Sequence, residues 1–472
     1  MTDLAQLVDT YYRSVNELAN SLEQSLPVLT RGPSIQDLES ISDYLNAVEK
    51  ILSQVHQSIH DRLGIPVPAK SAQQTLLRGD LRFLIDAYYR NGTELVTSLR
   101  RDLPVLASGA SIELLDKIDR SIYQAAQMIS GLTRQVHEVL EANLLDREVL
   151  RYRFVLAMSE VASKGEDART SYEAKNILER WLLNLANDKD PSAPDPIFSV
   201  GKLADNYPAT EKMRAEFREK KIDPERRVPQ ILKLGREYLT VTQVPKTSKC
   251  RVDGRKISVA EFSFTYPEDR VQLLLSKAPA SLICPMVVRY ACLLPRGQQW
   301  ATPSAVYEYL VTNYGVSVEG FASPLNSRII TLSQPGLGFC SLFPDTDAPF
   351  GSLGDFFQAD FTGRSVMANP PFVPAVMDRM VQKIEDQINR GGSVRFFVVV
   401  PEWTDAQFYL DMMKSPHRLF DFQLPGNHYY YVDLEGNRIS VKFNSHFFVL
   451  GTPDHRGDYS RLRDDLLRIY EQ

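Results

Sequence analysis

The chain has 472 residues, of which 43% are hydrophobic and 24% are charged, and its formal net charge is −5. These values are typical of a globular protein and exclude a chain coated with basic residues, although they leave room for one basic channel. No run approaches the roughly eighteen apolar residues of a membrane span, and the N-terminus lacks the basic and apolar blocks of a signal peptide. We therefore expect an intracellular protein with no membrane partner.

An internal repeat occupies the N-terminal part of the sequence. Residues 7–29 return at 84–106 with 13 of 23 positions identical. Each copy is predicted to form two helices, because a proline ends the first helix and Ser34 or Ser111 can cap the second. Two such units are fewer than a free-standing solenoid needs, so the repeat should pack on itself or bind a protein partner.

Residue types that bind metals are present, but the sequence shows no convincing metal site. His56 and His60 have the i, i+4 spacing of two ligands on one helix face. No third ligand stands near them in the sequence, so we predict a solvated helix face and no metal. The four cysteines form no CxxC pair, and small buried apolar side chains are the expected interpretation.

The middle of the chain contains a proline-rich loop and one basic stretch. Residues 187–210 are rich in Pro, Asp and Ser and predict a long loop. Residues 212–256 carry 14 Lys and Arg against 6 Asp and Glu, an excess of 8 positive charges. Such a stretch could contact a phosphate backbone, and a solvated helix face with mixed charges is an equal alternative. The candidate phosphate-binding residues are Lys220, Lys221, Arg226 and Arg227.

From about residue 300 the pattern changes to short apolar strands that alternate with helices. This alternation predicts a mostly parallel sheet covered on both faces, in which ligands bind beyond the carboxyl ends of the strands. We therefore predict a multidomain protein with an all-α helical repeat at 1–145 and a mostly helical domain at 146–300. An α/β Rossmann-like domain should follow at 301–472.

The strand that ends at Ala368 is followed directly by Asn369, Pro370, Pro371 and Phe372. The side-chain carbonyl of Asn369 and the main-chain carbonyl of Pro370 offer two acceptors at a rigid turn, which suits an NH₂ group. Neither acceptor can take a proton at neutral pH. The turn can instead hold an exocyclic amine and stabilise the positive charge that builds on its nitrogen during methyl transfer. Phe372 offers a face on which a planar base can stack.

Four segments occur in a recognisable order around this turn: "EGFASPLN" at 319–326, "FCSLFPDTDAPFGSLGDFF" at 339–357, "ANPPF" at 368–372 and "VVVPEW" at 398–403. Together they resemble the cap-specific adenosine-N6 methyltransferase family, which is known for a factor that interacts with the phosphorylated C-terminal domain of RNA polymerase II. The resemblance covers about residues 285–450 and does not include the repeat.

The resemblance implies roles for individual residues and a cofactor, S-adenosyl-L-methionine. Asn369, Pro370, Pro371 and Phe372 would be catalytic, and Glu402 and Trp403 would border the substrate pocket, although core packing is an equal alternative for Trp403. Asp345 and Asp347 are candidates for the cofactor ribose, with Asp347 preferred. The turn that would hold the methionine portion comprises Phe321, Ala322, Ser323, Pro324, Leu325 and Asn326. Asn444 matches a family asparagine for which the sequence suggests no role, and no metal is implied.

The chain departs from the family pattern at two points. Leu353 stands where family members carry arginine, so a contact of that arginine with RNA would be altered here. A WW domain needs two tryptophans about twenty residues apart, and the tryptophans of this chain are Trp181, Trp300 and Trp403. We therefore predict that no WW domain is present and that binding to the polymerase tail is not shared.

The expected function is methylation of N6 of adenosine in capped RNA, at the first transcribed nucleotide. The same chemistry could act on an internal RNA adenine, a DNA adenine or a protein glutamine. A protein of another class, an inactive scaffold that binds partners through the helical repeat, is the remaining alternative. The family resemblance favours a nuclear over a cytoplasmic location.

Overall fold

A computed structural model describes residues 10–11, 13–17, 34–63, 90, 92–101, 117–127, 129, 144–189, 193–242, 244, 246, 249–295 and 297–471. The chain divides into two compact units. The first comprises Met1–Leu144, Asp190–Gly201 and Arg236–Pro245, and the second comprises Leu145–Lys189, Lys202–Gly235 and Lys246–Gln472.

The helices are α1 (Ile35–Leu63), α2 (Leu144–Ser163), α3 (Ala168–Asn187), α4 (Pro208–Glu219), α5 (Pro224–Leu239), α6 (Glu268–Lys277), α7 (Ala280–Ala291), α8 (Ser304–Tyr314), α9 (Pro344–Asp347), α10 (Pro374–Asn389), α11 (Gln407–Lys414) and α12 (Ser460–Glu471). Short 3₁₀ segments lie at Ile329–Leu332, Ala348–Phe350 and Pro453–His455. The strands are β1 (Cys250–Asp253), β2 (Lys256–Val259), β3 (Phe262–Thr265), β4 (Val316–Ala322), β5 (Gly338–Ser341), β6 (Arg364–Ala368), β7 (Val394–Pro401), β8 (Arg418–Leu424), β9 (Tyr430–Val432), β10 (Arg438–Ser440) and β11 (Ser445–Gly451).

A six-stranded sheet with the order β5-β4-β6-β7-β11-β8 dominates the second unit. Strands β5, β4, β6 and β7 pair in parallel, and β11 is antiparallel to both of its neighbours, β7 and β8. The carboxyl ends of the parallel strands therefore meet at one edge. In a sheet of this kind, that edge is where ligands bind.

Helices cover both faces of this sheet, and successive residues of a strand point to opposite faces. On β6, Val366 and Ala368 pack in a core with Met377 of α10 and Phe408 of α11. Met367, between them, packs on the other side in a core that includes residues of α8 and α12. Burial on both faces explains why β7 reads as the near-continuous apolar run "VRFFVVVP" rather than as an alternating pattern.

The segment predicted as a separate domain at 146–300 lies largely in the same compact unit as the predicted domain at 301–472. Arg289 on α7 contributes to this packing. Its guanidinium pairs with Glu148 of α2, Nη2 to Oε1 at 2.7 Å, and with Asp345 of α9. Ion pairs between residues so far apart in sequence leave no trace in local composition, which is why the sequence suggested a boundary here.

The cysteines differ in part from the prediction. Cys250 and Cys284 form a disulfide between β1 and α7, whereas Cys292 and Cys340 are free and buried. The two cysteines are 34 positions apart in the sequence, so their spacing gave no indication of the disulfide. Next to the disulfide, β1 and β2 form an antiparallel hairpin in which Asp253 pairs with Lys256.

In the first unit, α1 begins directly after Ser34, the predicted N-cap. Buried apolar residues recur along it at intervals of three and four: Ile41, Leu45, Val48, Leu52, Val55 and Ile59. Residues 92–101 and 117–127 are also helical. Most of the repeated segments at 7–29 and 84–106 lie outside the described residues. Among the residues that the structure describes, no helix has the length and apolarity needed to cross a membrane.

Candidate functional site

A cleft opens at the carboxyl edge of the parallel strands, and its empty space, including the part open to solvent, is about 590 Å³. Its lining comprises Leu183, Asn187, Tyr290, Gln298, Gln299, Trp300, Gly320, Phe321, Ala322, Asn326, Cys340, Ser341, Leu342, Asp355, Phe356, Phe357, Asn369 and Pro371. Five of the residues that the sequence assigned to a site, on two separate turns, are therefore brought together here.

Asn369 has one half of its amide engaged and the other half unpaired. Its Nδ2 donates to the main-chain carbonyl of Trp300 at 3.0 Å. Since a carbonyl can only accept, this bond fixes which end of the amide carries the oxygen. The side chain is 8% exposed, and Oδ1 has no hydrogen-bond partner within the described part of the chain. A buried acceptor without a donor is unfavourable, so Oδ1 is available to accept an N–H or O–H group.

The turn after β4 is held by its own polar side chains. Oδ1 of Asn326 accepts from the main-chain N–H of Ser323 at 2.7 Å and from its hydroxyl at 2.9 Å. Nδ2 of Asn326 donates to the carbonyl of Gln299 at 3.1 Å. Of the predicted residues here, Phe321, Ala322 and Asn326 line the cleft. Ser323, Pro324 and Leu325 are buried and shape the turn.

Glu319 anchors the loop that follows this turn. Its Oε2 accepts from the Ser327 hydroxyl at 2.7 Å and from the main-chain N–H groups of Arg328 and Ile329 at 2.8 and 3.1 Å. Burial raises the pKa of this carboxyl against the effect of these donors. Arg270 of α6 adds support by donating to the carbonyl of Ser327 at 2.6 Å. These hydrogen bonds hold the loop at 327–329 against β4 and α6.

An aromatic wall lines the same cleft. The ring centroid of Phe321 lies 4.4 Å from that of Phe356 and 6.0 Å from that of Phe357. Gly320 permits this close packing, because a Cβ there would lie 3.0 Å from the Phe356 ring. Flat apolar faces at this position can hold a planar ring of a ligand.

The three carboxylates near the cleft differ in their freedom to bind a ligand. Asp345 is paired with Arg289, and Asp347 is buried and accepts from the Tyr290 hydroxyl at 2.6 Å. Neither lines the cleft, whereas Asp355 does. The residues predicted to contact the ribose, Asp345 and Asp347, are thus absent from the cleft lining, and Asp355, which comes later in the same segment, is part of it.

Phe372 belongs to an aromatic group beside Asn369. Its ring centroid is 5.9 Å from both Tyr431 and Phe443, in edge-to-face arrangements. Tyr431 in turn stacks with Trp300 at 6.2 Å. Because the Trp300 carbonyl holds Asn369, this group adjoins the unpaired Oδ1. Phe443 is 39% exposed, so part of its ring is accessible to solvent.

Glu402 and Trp403 directly follow β7 and do not line the cleft. Oε2 of Glu402 accepts from Asn444 Nδ2 at 2.9 Å and from Gln423 Nε2 at 2.7 Å. Oδ1 of Asn444 accepts from the main-chain N–H of Gly426 at 2.9 Å. Asn444, for which the sequence suggested no role, therefore positions Glu402 against the loop before β9. Trp403 remains 38% exposed.

The four basic candidates separate into exposed and buried residues. Lys220, Lys221 and Arg226 are exposed, and Lys220 pairs with the neighbouring Glu219. Arg227 is only 4% exposed. Its guanidinium donates to two main-chain carbonyls at the end of α2, at 2.8 and 2.6 Å, and to a nearby glutamate at 2.7 Å. The prediction that Arg227 contacts RNA is therefore corrected: it stabilises the end of a helix.

Comparisons with known proteins agree with the site. A family model described as "Phosphorylated CTD interacting factor 1 WW domain" matches residues 276–434. An "mRNA (2'-O-methyladenosine-N(6)-)-methyltransferase" from Mus musculus is 39% identical over 110 residues, which are 23% of this chain and 15% of that protein. A protein of the same name from Homo sapiens shows the same identity and the same coverage.

The predicted family resemblance is confirmed. The matched range of the family model contains the cleft-lining turns after β4 and β6. The chain spans about 15% of the length of these curated relatives, so their names describe those proteins and not this whole chain.

The prediction that no WW domain is present is contradicted, because the matching family model carries this domain in its description. The prediction rested on tryptophan spacing alone. The matched range includes Trp300 and Trp403, which are far apart in sequence, so a test for two nearby tryptophans could not detect the match. The statement about the polymerase tail that depended on this test is withdrawn.

Sequence reasoning missed two important groups in the cleft, although a signal was present for one. Asp355, Phe356 and Phe357 lie within the segment 339–357 that carried the family resemblance, and its other two aspartates were chosen instead. Trp300 gave no signal, because it acts through its main-chain carbonyl, which any residue could offer.

Proposed function

We propose that this chain is an S-adenosylmethionine-dependent methyltransferase that acts on N6 of adenosine in RNA, at the first nucleotide after the cap. The observation that carries the proposal is Asn369, with Nδ2 engaged and a buried Oδ1 that lacks a donor. The names of the relatives support the same reaction. We also propose that the six-stranded sheet is a Rossmann-like methyltransferase domain.

The residues of the cleft fit the cofactor. Aromatic rings line the cleft, and Asp355 offers carboxylate oxygens of the kind that bind a ribose diol. We propose Asp355 for this contact, in place of Asp345 and Asp347, and the turn from Phe321 to Asn326 for the methionine portion. When bound, S-adenosylmethionine would supply an electrophilic methyl group.

The chain's own residues would orient the acceptor nitrogen. Oδ1 of Asn369 and the Pro370 carbonyl would accept the two N–H bonds of the adenine amine, which directs its lone pair into the cleft. The nitrogen would give this lone pair to the new N–C bond while the methyl–sulfur bond breaks with its electrons left on sulfur, and one proton of the amine would leave to water. Carbonyl dipoles that are already in place stabilise the positive charge that builds in the transition state. Phe372, with Phe443, would stack the base.

The exposed basic residues Lys220, Lys221 and Arg226 are proposed to attract the RNA phosphates. Their contribution would be electrostatic and independent of sequence, and it would weaken as salt rises.

The test uses purified protein, labelled S-adenosylmethionine and three matched RNAs. One is capped with adenosine first, one is capped with guanosine first, and one begins with adenosine and has no cap. We expect N6-methyladenosine, measured by mass spectrometry after digestion, from the capped adenosine RNA alone. Equal product from the uncapped RNA would overturn the cap requirement, and no product from any RNA would overturn the proposed activity.

A further inference from the structure

A cluster of three metal-ligating side chains lies in the first unit, outside the proposed methyltransferase site. His56 and His60 stand one turn apart on α1, and Asp119 lies on the helix at 117–127. Nε2 of each histidine is 3.0 Å from Oδ1 of Asp119. The structure thus supplies the third ligand that the sequence failed to show, from 59 and 63 residues away.

The geometry of the cluster is close to that of a zinc site. Zinc binds imidazole nitrogen and carboxylate oxygen at about 2.0–2.1 Å, which places neighbouring tetrahedral ligand atoms about 3.3–3.4 Å apart. The two nitrogen-to-oxygen distances of 3.0 Å fall a few tenths short of this, and all three ligand atoms lie within 4.8 Å of one another. The imidazole rings meet at 84°, with centroids 4.8 Å apart, so both nitrogens can point at one ion.

Burial defines which atoms would bind and where the site opens. The His60 side chain is 1% exposed, and its Nδ1 has no hydrogen-bond partner in the described chain. Nε2 is therefore the ring atom through which His60 acts. The side chains of His56 and Asp119 are each 22% exposed, which leaves one side of the cluster open to a water molecule as fourth ligand.

We infer that His56, His60 and Asp119 form a binding site for Zn²⁺. Two imidazoles with one carboxylate favour zinc over calcium or magnesium, which prefer oxygen ligands alone. His56 and His60 lie on α1, which follows the first copy of the repeat at residues 7–29. Asp119 lies on the helix at 117–127, which follows the second copy at residues 84–106. The ion would link the two copies and stabilise a unit that has fewer repeats than a free-standing solenoid needs. This role is independent of the proposed methyl transfer.

The test measures zinc binding by the full-length chain after a chelator has removed bound metal. Titration calorimetry with ZnCl₂ and metal analysis after dialysis are expected to give one tightly bound zinc per chain. The variants His56→Gln and Asp119→Asn should bind at least about tenfold more weakly, because even the loss of a side chain that only supports a metal ligand costs about 10–100-fold in affinity. His428→Gln, which alters an exposed histidine in the other unit, should bind as the wild type does.

Two results would overturn the inference: failure of the wild-type chain to bind zinc, or binding that both ligand variants retain in full. Circular dichroism of each variant separates loss of a ligand from loss of fold. If a variant unfolds, Co²⁺ is bound to the wild-type chain in place of Zn²⁺ and its absorption spectrum is measured. The site predicts the absorption bands of Co²⁺ with four nitrogen and oxygen ligands, and the absence of these bands would contradict it. None of these readouts depends on methyltransferase activity.

Discussion

Asp347 shows how a residue chosen for a ligand contact can serve the fold instead. It is fully buried, and its Oδ2 accepts from the Tyr290 hydroxyl at 2.6 Å. Burial raises the pKa of this carboxyl from 3.8 to about 7, although the hydrogen bonds from Tyr290 and Ser341 act in the opposite direction. A group with this property makes the stability of the folded chain depend on pH.

Asp347→Asn should remove that dependence. Between pH 3.8 and about 7 the folded carboxyl keeps a proton that the unfolded one has lost, so the wild-type chain loses stability as pH rises through this window. The neutral amide keeps an acceptor for Tyr290 and has no such penalty. We predict that the variant gains stability relative to the wild type between pH 5 and pH 8, measured by urea unfolding. An equal difference at both pH values would show that Asp347 does not titrate there.

Asp355 and Asp345 provide a matched test of the cofactor contact. Asp355 lines the cleft, whereas Asp345 does not line it and is paired with Arg289. Asp355→Asn should weaken the binding of S-adenosylmethionine about tenfold, since a charge-assisted hydrogen bond becomes a neutral one. Asp345→Asn should change it less than about twofold. Titration calorimetry distinguishes the two, and the reverse order would restore the assignment made from the sequence.

At the scale of elements, the strand exit from β6 into the turn at 369–372 is the feature that sequence predicts best. Prolines cannot extend a ladder of hydrogen bonds, so the local sequence predicts where the strand ends. The position of Asp355 is different. Asp355 lines the cleft because of the path that the chain takes after α9. That path is set by the packing of α9 against α7 and not by residues near Asp355 in the sequence.

The aromatic group beside this turn leads to a prediction for RNA binding. Phe443 is 39% exposed and contacts Phe372 edge to face, so its removal leaves the core intact. Stacking of a base on an aromatic ring is worth about 1–3 kcal/mol. Phe443→Ala should therefore raise KM for capped RNA at least about fivefold and leave the binding of S-adenosylmethionine unchanged. Tyr172→Ala, at an exposed tyrosine on α3, is the control, and an equal effect of both changes would contradict the stacking role.

At the scale of the whole molecule, a buried charge network ties distant segments of the second unit. Glu148 is fully buried, and its Oε1 accepts from Nε and Nη2 of Arg289 at 2.9 and 2.7 Å. Removal of the arginine would leave a buried carboxylate with one fewer cation. Such a loss costs about 3–5 kcal/mol.

Arg289→Leu should therefore lower the free energy of unfolding by about 3–5 kcal/mol. The comparison is Arg153→Ala, which removes an exposed pair with Glu261 at 2.7 Å and should cost less than about 1 kcal/mol. Urea unfolding at neutral pH measures both. If the two variants lose similar amounts of unfolding free energy, the buried ion pairs of Arg289 do not stabilise the fold more than an exposed pair does.

Contacts of long sequence separation are also where sequence reasoning failed at this scale. The basic run that suggested RNA contacts contains Arg227, which the fold uses to hold the end of α2. In the cluster of His56, His60 and Asp119, helical spacing connects the two histidines, but no local pattern connects them to Asp119. Strand and helix types followed from periodicity, whereas these partnerships are set by tertiary packing alone.

Asn369 is proposed to hold the methyl-accepting amine, and two asparagine variants test this role. Asn369→Ala and Asn313→Ala would be assayed with capped adenosine RNA, and N6-methyladenosine would be measured by mass spectrometry in single-turnover reactions. Asn313 is exposed on α8, at the opposite edge of the sheet. We predict that Asn369→Ala slows methylation by about 10²–10³-fold, as removal of a preorganised electrostatic contact does, with S-adenosylmethionine binding preserved and Asn313→Ala unaffected. Methylation by Asn369→Ala at more than half the wild-type rate would show that Asn369 does not hold the amine for methyl transfer.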